Sequence, residues 1–300
     1  MKENISNFIK GLAMGAANVI PGVSGGTVAL VTGIYERLIN ALKSCDLTAL
    51  KLLFARDFKG AWTHVDGAFL SAILGGVAVS IISLAKVLEY LLGNFEVLTM
   101  AFFFGLIAVS VVSVGRTVKR WGVISVLALV IGTALAASVA MLAPAGENAN
   151  AGYLFVCGVV AICSMILPGL SGSFVLIIMG NYALVLGAIG RFDMAILLPM
   201  ALGCGLGLLA FAHLLGWVYE KFHDQTVALM TGFILGSLAI VWPWKQALTE
   251  VVVREGKADK IITTGYEWFG PTLSDSSTLM ALGLMIIGGV MVWGMEKVSQ

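Results

Sequence analysis

The chain has 300 residues, 59% of them hydrophobic and 12% charged, with a formal net charge of +1 and a mean hydropathy of +0.98. Soluble domains carry about 25% charged residues, so this composition excludes a water-soluble globule and predicts an all-α polytopic membrane protein. The net charge says little about partners, since basic residues in membrane proteins are distributed by topology, and nucleic acid is not an expected ligand. Four cysteines, Cys45, Cys157, Cys163 and Cys204, show no CxxC spacing, and three lie in apolar stretches. Neither a disulfide, a metal site nor a cofactor is expected.

From the N-terminus, a lysine-flanked apolar run leads into a longer apolar region instead of an A-x-A cleavage site, so it is expected to be retained structure. That first region, 5–42, is cut near its middle by Pro21-Gly22-Val23-Ser24-Gly25. A polar insertion follows at 43–66, expected on the cytoplasmic side. Three apolar spans come next, at about 67–92, 97–115 and 122–143. The region 151–190 is again cut in its middle, by Pro168-Gly169-Leu170-Ser171-Gly172, and precedes spans at about 194–219, 226–243 and 277–295. A polar loop, 244–276, lies between the last two and is assigned to the extracytoplasmic side. Each full span is predicted helical because an isolated strand cannot satisfy its backbone in lipid.

The cut regions have arms of roughly 14 to 19 residues, marginal for a hydrocarbon core about 30 Å thick that takes about 20 helical residues to cross. They read as re-entrant hairpins, with two short full crossings each as the alternative. At a constant offset of 147, Gly11 meets Gly158, Pro21 meets Pro168, Ser24 meets Ser171, Gly33 meets Gly180 and Tyr35 meets Tyr182. Downstream, "AFFFGLIAVSV" (101–111) matches "ALMTGFILGSL" (228–238) at an offset of 127, the difference marking the insertion. The single membrane domain is therefore read as two homologous halves, 1–143 and 144–300, each a broken hairpin plus three spans.

A hairpin returns to its own side and three crossings do not, so the second half is expected to be inverted. With both termini cytoplasmic, twelve Lys and Arg fall inside and five outside (Arg191, Lys245, Arg254, Lys257 and Lys260), with Lys86 inside a span. This bias agrees with the positive-inside rule.

Interrupted helices at matching positions of inverted repeats point to a secondary transporter with its site near the midplane. Glycine lets backbone approach a ligand, and Ser24, Thr27, Ser171 and Ser173 can cap a half-helix or donate to phosphate oxygens. The amides of 24–27 and 171–174, with Gly25, Gly26 and Gly172 among them, are expected to face one central anion site. Close packing by small residues is the bland account of each motif. Asn18 is assigned only to polar lining.

"GxxMGxANVIPGVSGGTxALxxGIYERLI", from Gly11 to Ile39, and "MILPGLSGSFVLIIMGNY", from Met165 to Tyr182, resemble the polyprenyl-phosphate transporter family. The resemblance spans essentially the whole chain. It implies movement of undecaprenyl phosphate, a C55 carrier lipid, back to the cytoplasmic face of the bacterial inner membrane. Membrane lipids would then be neighbours of the site, and copies of the chain could assemble as a homo-oligomer.

Charged residues inside apolar segments supply further candidates. Arg37 is a phosphate contact or a snorkelling interfacial residue. Glu36 is a carrier for a coupling proton or sodium ion, because moving a monoanion inward against the membrane potential costs about 2.3 kcal/mol per 100 mV. Lys86 and Glu89, one turn apart, form an interfacial pair or capture the head group. His213 titrates or merely satisfies a carbonyl. Two other classes compete: an intramembrane serine protease using Ser24 and His213, disfavoured because the serine motif is duplicated, and a transporter or channel for a small soluble anion. A lipid phosphatase lacks the clustered histidines and bases it would need, since His64, His213 and His223 are scattered.

Overall fold

The apolar stretches fold as helices, and the breaks fall where proline and glycine interrupt them. The computed structural model describes residues 2–19, 24–142, 144–252, 260–272 and 275–299. Pro21 and Gly22 lie outside the described residues. In the first half, α1 (Lys2–Val19), α2 (Gly25–Val31) and α3 (Tyr35–Lys43) form the interrupted region. The insertion folds as two short helices, α4 (Leu47–Phe54) and α5 (Phe58–His64), and α6 (Gly67–Asn94), α7 (Glu96–Gly115) and α8 (Val123–Met141) follow.

The second half repeats this order without the insertion: α9 (Ala151–Ile166), α10 (Gly172–Ile178), α11 (Tyr182–Arg191), α12 (Met194–Lys221), α13 (His223–Val241) and α14 (Ser276–Ser299). Among the described residues, α6, α7, α12, α13 and α14 are long and apolar enough to cross a bilayer, and α8 and α9 are shorter apolar helices. The chain is a mostly helical, multi-pass membrane protein.

Helix partners also repeat. Helix α1 packs on α6 as α9 packs on α12, and α7 packs on α14 while α8 packs on α13. Each pair is brought close by glycines facing carbonyls: a Cβ at Gly11 or Gly76 would strike Ile73 or Phe8, and one at Gly158 or Gly203 would strike Met200 or Phe155. Gly105 and Gly288 do the same for α7 and α14, and Gly132 and Gly232 for α8 and α13. Without aqueous exclusion to drive helices together in lipid, such close approach is what dispersion and backbone contact require.

Two features depart from the sequence reading. Each interrupted region has a second break, where Gly33 (φ +71°) and Gly180 (φ +75°) turn the chain between α2 and α3 and between α10 and α11. Helices α10 and α11 meet at 111°. Left-handed backbone favours glycine because it has no Cβ to clash.

The loop between α13 and α14 also carries an antiparallel hairpin, β1 (Lys245–Val252) and β2 (Lys260–Trp268), with an irregularity between Leu248 and Thr249. The all-α expectation therefore holds for the membrane part and not for this loop. The hairpin is clamped to α13 by indole donors: Trp242 Nε1 to Phe269 O (3.1 Å) and Trp268 Nε1 to Ala239 O (3.1 Å), around the buried Trp244.

Candidate functional site at the paired helix breaks

The residues that lead into α2 and α10 carry the same backbone. Ser24 precedes α2 at φ −114°, ψ 130°, and Ser171 precedes α10 at φ −111°, ψ 126°. Extended backbone at this position turns the first amides of the short helix outward from its start, so each break needs acceptors for them. How the two breaks meet that need differs.

In the first break every early amide is engaged. Gly25 N donates to Asn18 Oδ1 (2.8 Å), Gly26 N to Ser24 Oγ (3.2 Å) and Thr27 N to Ser24 O (3.0 Å). Asn18, reaching across from α1, is thus a capping acceptor and more than polar lining. At the other end of α2, Lys10 Nζ donates to Thr32 O (2.9 Å), placing a cation on a terminal carbonyl. Ser24 and Thr27 are almost fully buried.

The first break is also bonded to the second. Ser24 Oγ donates to Leu167 O (3.1 Å), Gly169 N donates to Thr27 Oγ1 (3.0 Å), and the buried Tyr35 donates its hydroxyl to Ile166 O (3.2 Å). Three carbonyl or amide groups of the 166–169 segment are thereby satisfied by side chains of the other repeat. Gly26 lies so close to this segment that a Cβ would fall 2.8 Å from Ile166 O. Gly169, at φ +81°, backs onto the Phe233–Ile234 backbone, where no side chain fits.

The second break keeps its donors. Ser171 and Ser173 bond each other through their hydroxyls (2.8 Å), and no side chain caps α10. Among the described residues, the amides of Gly172, Ser173 and Phe174 have no bonded acceptor. Among the described residues, the amides of 172–174 lack acceptors, whereas those of 25–27 are taken up by Asn18 and Ser24.

Further along, Asn181 is fully buried and pins the inter-repeat connection, donating Nδ2 to Asn148 O (2.8 Å) and accepting at Oδ1 from Asn148 N (2.9 Å). Sequence reading gave it no role. A lone asparagine after an apolar run beside Gly180 was the available signal.

The charged candidates sit elsewhere. Arg37 holds Asp66 in a two-pronged pair (Nε to Oδ2 2.6 Å, Nη2 to Oδ1 3.2 Å), bonds Glu3 through Nη1, and stacks over Phe69 at 4.4 Å. Among the described residues, none from either break is a bonded partner of Arg37. Glu36 is exposed and shares with Arg37, Asn40, Ser44 and Asp66 a recess of about 400 Å³. Lys86 is exposed on α6, and the side chain of Glu89 lies outside the described residues.

His213 bonds Leu209 O of its own helix through Nδ1 (2.8 Å), the bland outcome, whereas Ser24 is committed to Leu167 and Gly26. The pair needed for a serine protease is not assembled. No group of His, Cys, Asp and Glu among the described residues is placed to hold a metal ion.

These features define a class: a multi-pass membrane protein whose two interrupted helical regions are bonded to one another at their breaks. The family model described as VCA0040-like, undecaprenyl phosphate translocase-like, matches residues 14–259, and the chain belongs to that family. It is 39% identical over 299 residues to a protein of Vibrio cholerae named polyprenyl-phosphate transporter, covering 99% of this chain and 97% of that one. A protein of Staphylococcus aureus with the same name is 30% identical over 260 residues, covering 79% and 86%. No solved structure matches the chain.

Proposed function

We propose that the chain is a secondary transporter that moves undecaprenyl phosphate from the outer to the inner leaflet of the bacterial cytoplasmic membrane. The relatives' names and their near full-length match support the substrate class. The observation that carries the reading is the meeting of the two breaks, Ser24 on Leu167 and Thr27 on Gly169, which brings duplicated hydroxyl-rich segments from distant parts of the chain to one place.

Charge-assisted donation from hydroxyls and amides would replace water around the phosphate, whose transfer bare through hydrocarbon costs many kcal/mol. In this reading the phosphate first meets Ser171, Gly172 and Ser173, whose donors are open. It engages Ser24, Gly25, Gly26 and Thr27 only as the hairpins part. The prenyl tail stays in lipid, so the site opens sideways.

The halves act as inverted repeats with re-entrant hairpins and both termini cytoplasmic, a reading supported by the repeated helix partners and the distribution of Lys and Arg. Arg37 exchanges its carboxylate partners for phosphate at the cytoplasmic mouth, and Glu36 beside it carries a coupling proton. Lys86 and His213 remain secondary candidates for head-group capture and titration.

Binding by the purified protein tests this reading against a small-anion transporter. Undecaprenyl phosphate is expected to bind more tightly than a short-chain prenyl phosphate, and both more tightly than inorganic phosphate. Equal affinity for all three contradicts a lipid substrate. Coupling is tested separately in proteoliposomes, where transport indifferent to proton and sodium gradients removes the role of Glu36.

A further inference from the structure

The insertion present only in the first half leaves a face that the rest of the protein does not cover. On α4, Leu47, Leu50 and Phe54 lie three and four residues apart on one side, and on α5, Phe58 and Trp62 share a side; all five are exposed, Phe54 at 80%. Such spacing puts them on one stripe of each helix. The two helices are held as a unit: Asp46 caps α4 through the amides of Thr48 and Ala49 and pairs with His64 at the end of α5 (3.1 Å), while Asp57 caps α5 through Gly60 N.

The local acids are therefore spent on caps, and Asp66 is spent on Arg37. Lys51, Arg56 and Lys59 are exposed and, among the described residues, enter no ion pair. An apolar stripe flanked by unspent cations complements an anionic lipid surface, with Lys51 positioned beside the stripe to snorkel.

Depth is given by α12. Helix α4 and α12 bound an apolar recess of about 780 Å³, whose α12 wall is Leu209, Ala210 and His213. These lie one to two turns farther from the end of α12 than Trp217, over which Lys221 stands at 5.1 Å, a pairing that marks the interface. Helix α4 thus stands at or below the level of the interfacial tryptophan.

We infer that α4 and α5 form an amphipathic anchor embedded in the cytoplasmic leaflet, with Leu47, Leu50, Phe54, Phe58 and Trp62 among acyl chains and Lys51, Arg56 and Lys59 on anionic phospholipid head groups. The leaflet assignment rests on the proposed cytoplasmic placement of the insertion; embedding does not, and it is independent of where the phosphate binds.

The test places an environment-sensitive fluorophore on single cysteines, Leu47→Cys, Phe54→Cys and Trp62→Cys, in full-length protein with the native cysteines replaced by alanine. The protein is reconstituted in phosphatidylcholine vesicles with and without phosphatidylglycerol. Shallow spin-labelled lipids are expected to quench all three sites as strongly as a label at lipid-facing Leu206, and more strongly when phosphatidylglycerol is present. Quenching no greater than at Ala149 in the exposed connection overturns the anchor. So does a label shielded from water yet unquenched by lipid, which would mean a protein occupant. Quenching indifferent to phosphatidylglycerol overturns the role of the three cations.

Discussion

Ser24 with α2 and Ser171 with α10 share one backbone and differ in chemistry. At the offset of 147, Asn18 of the first faces Met165 of the second, Gly26 faces Ser173, and Thr27 faces Phe174. The first copy holds the groups that close a break, an amide to cap Gly25 and a hydroxyl to accept from Gly169. The second has its other hydroxyl at Ser173, bonded to Ser171, and no side-chain cap. A duplicated motif in register therefore predicts where two segments meet, and the residues that differ between copies show which one is locked and which keeps its donors.

The strongest way to break the pair is to fill its contact. Gly169→Val forces a β-branched residue into left-handed backbone against Phe233, and about 3 kcal/mol or more of destabilisation is expected. Thermal unfolding in detergent reads it, and an unchanged melting temperature would mean that the breaks are not seated as described. Thr27→Val keeps shape but leaves Gly169 N buried without an acceptor, a loss of about 1–3 kcal/mol that Thr27→Ser should largely restore.

Asn18→Ala frees the amide of Gly25 and is expected to cost about 1 kcal/mol, whereas Met165→Ala at the matching position removes no hydrogen bond. If hydrogen exchange around α2 rises no more in Asn18→Ala than exchange around α10 rises in Met165→Ala, the asymmetry between the copies is lost.

The smallest effect concerns the insertion that only one half carries. The amide of Ala49 chiefly, with His64 and the amide of Thr48, holds the Asp46 carboxyl down to about 2. Because its folded value lies below the ordinary carboxylate range, the cap is fully present above about pH 4 and is lost as pH falls toward 2. Hydrogen exchange over 46–64 should rise across that window, and Asp46→Asn should abolish the pH dependence.

Much of this was legible in the sequence because the membrane leaves few choices. Spans expected at 67–92, 97–115 and 194–219 fold as Gly67–Asn94, Glu96–Gly115 and Met194–Lys221, since an apolar run of that length in lipid satisfies its backbone only as a helix. The second breaks were not visible. Gly33 and Gly180 sit in apolar runs where glycine more often serves packing, but each ends a short helix in left-handed backbone, with Ile34 N bonded back to Ala29 O and Asn181 N to Leu176 O.

The β-hairpin was hidden for the opposite reason, its strands being polar enough to read as loop. At the site, the register of the repeat pointed to the meeting of the breaks. The hydrogen bonds from Asn18 and Thr27 required the chain to be folded, because their partners are backbone groups that the sequence does not distinguish.

In the proposed mode of action the second break receives the phosphate while the first holds the two interrupted regions together. Undecaprenyl phosphate affinity and melting temperature, measured side by side for the parent chain and for Ser171→Ala combined with Ser173→Ala, test it most directly. An affinity loss of about tenfold or more is expected with the melting temperature nearly unchanged, since two hydroxyls that bond only each other contribute little to stability and charge-assisted bonds to phosphate are worth about 1.5–3 kcal/mol. Unchanged affinity in that variant would contradict it.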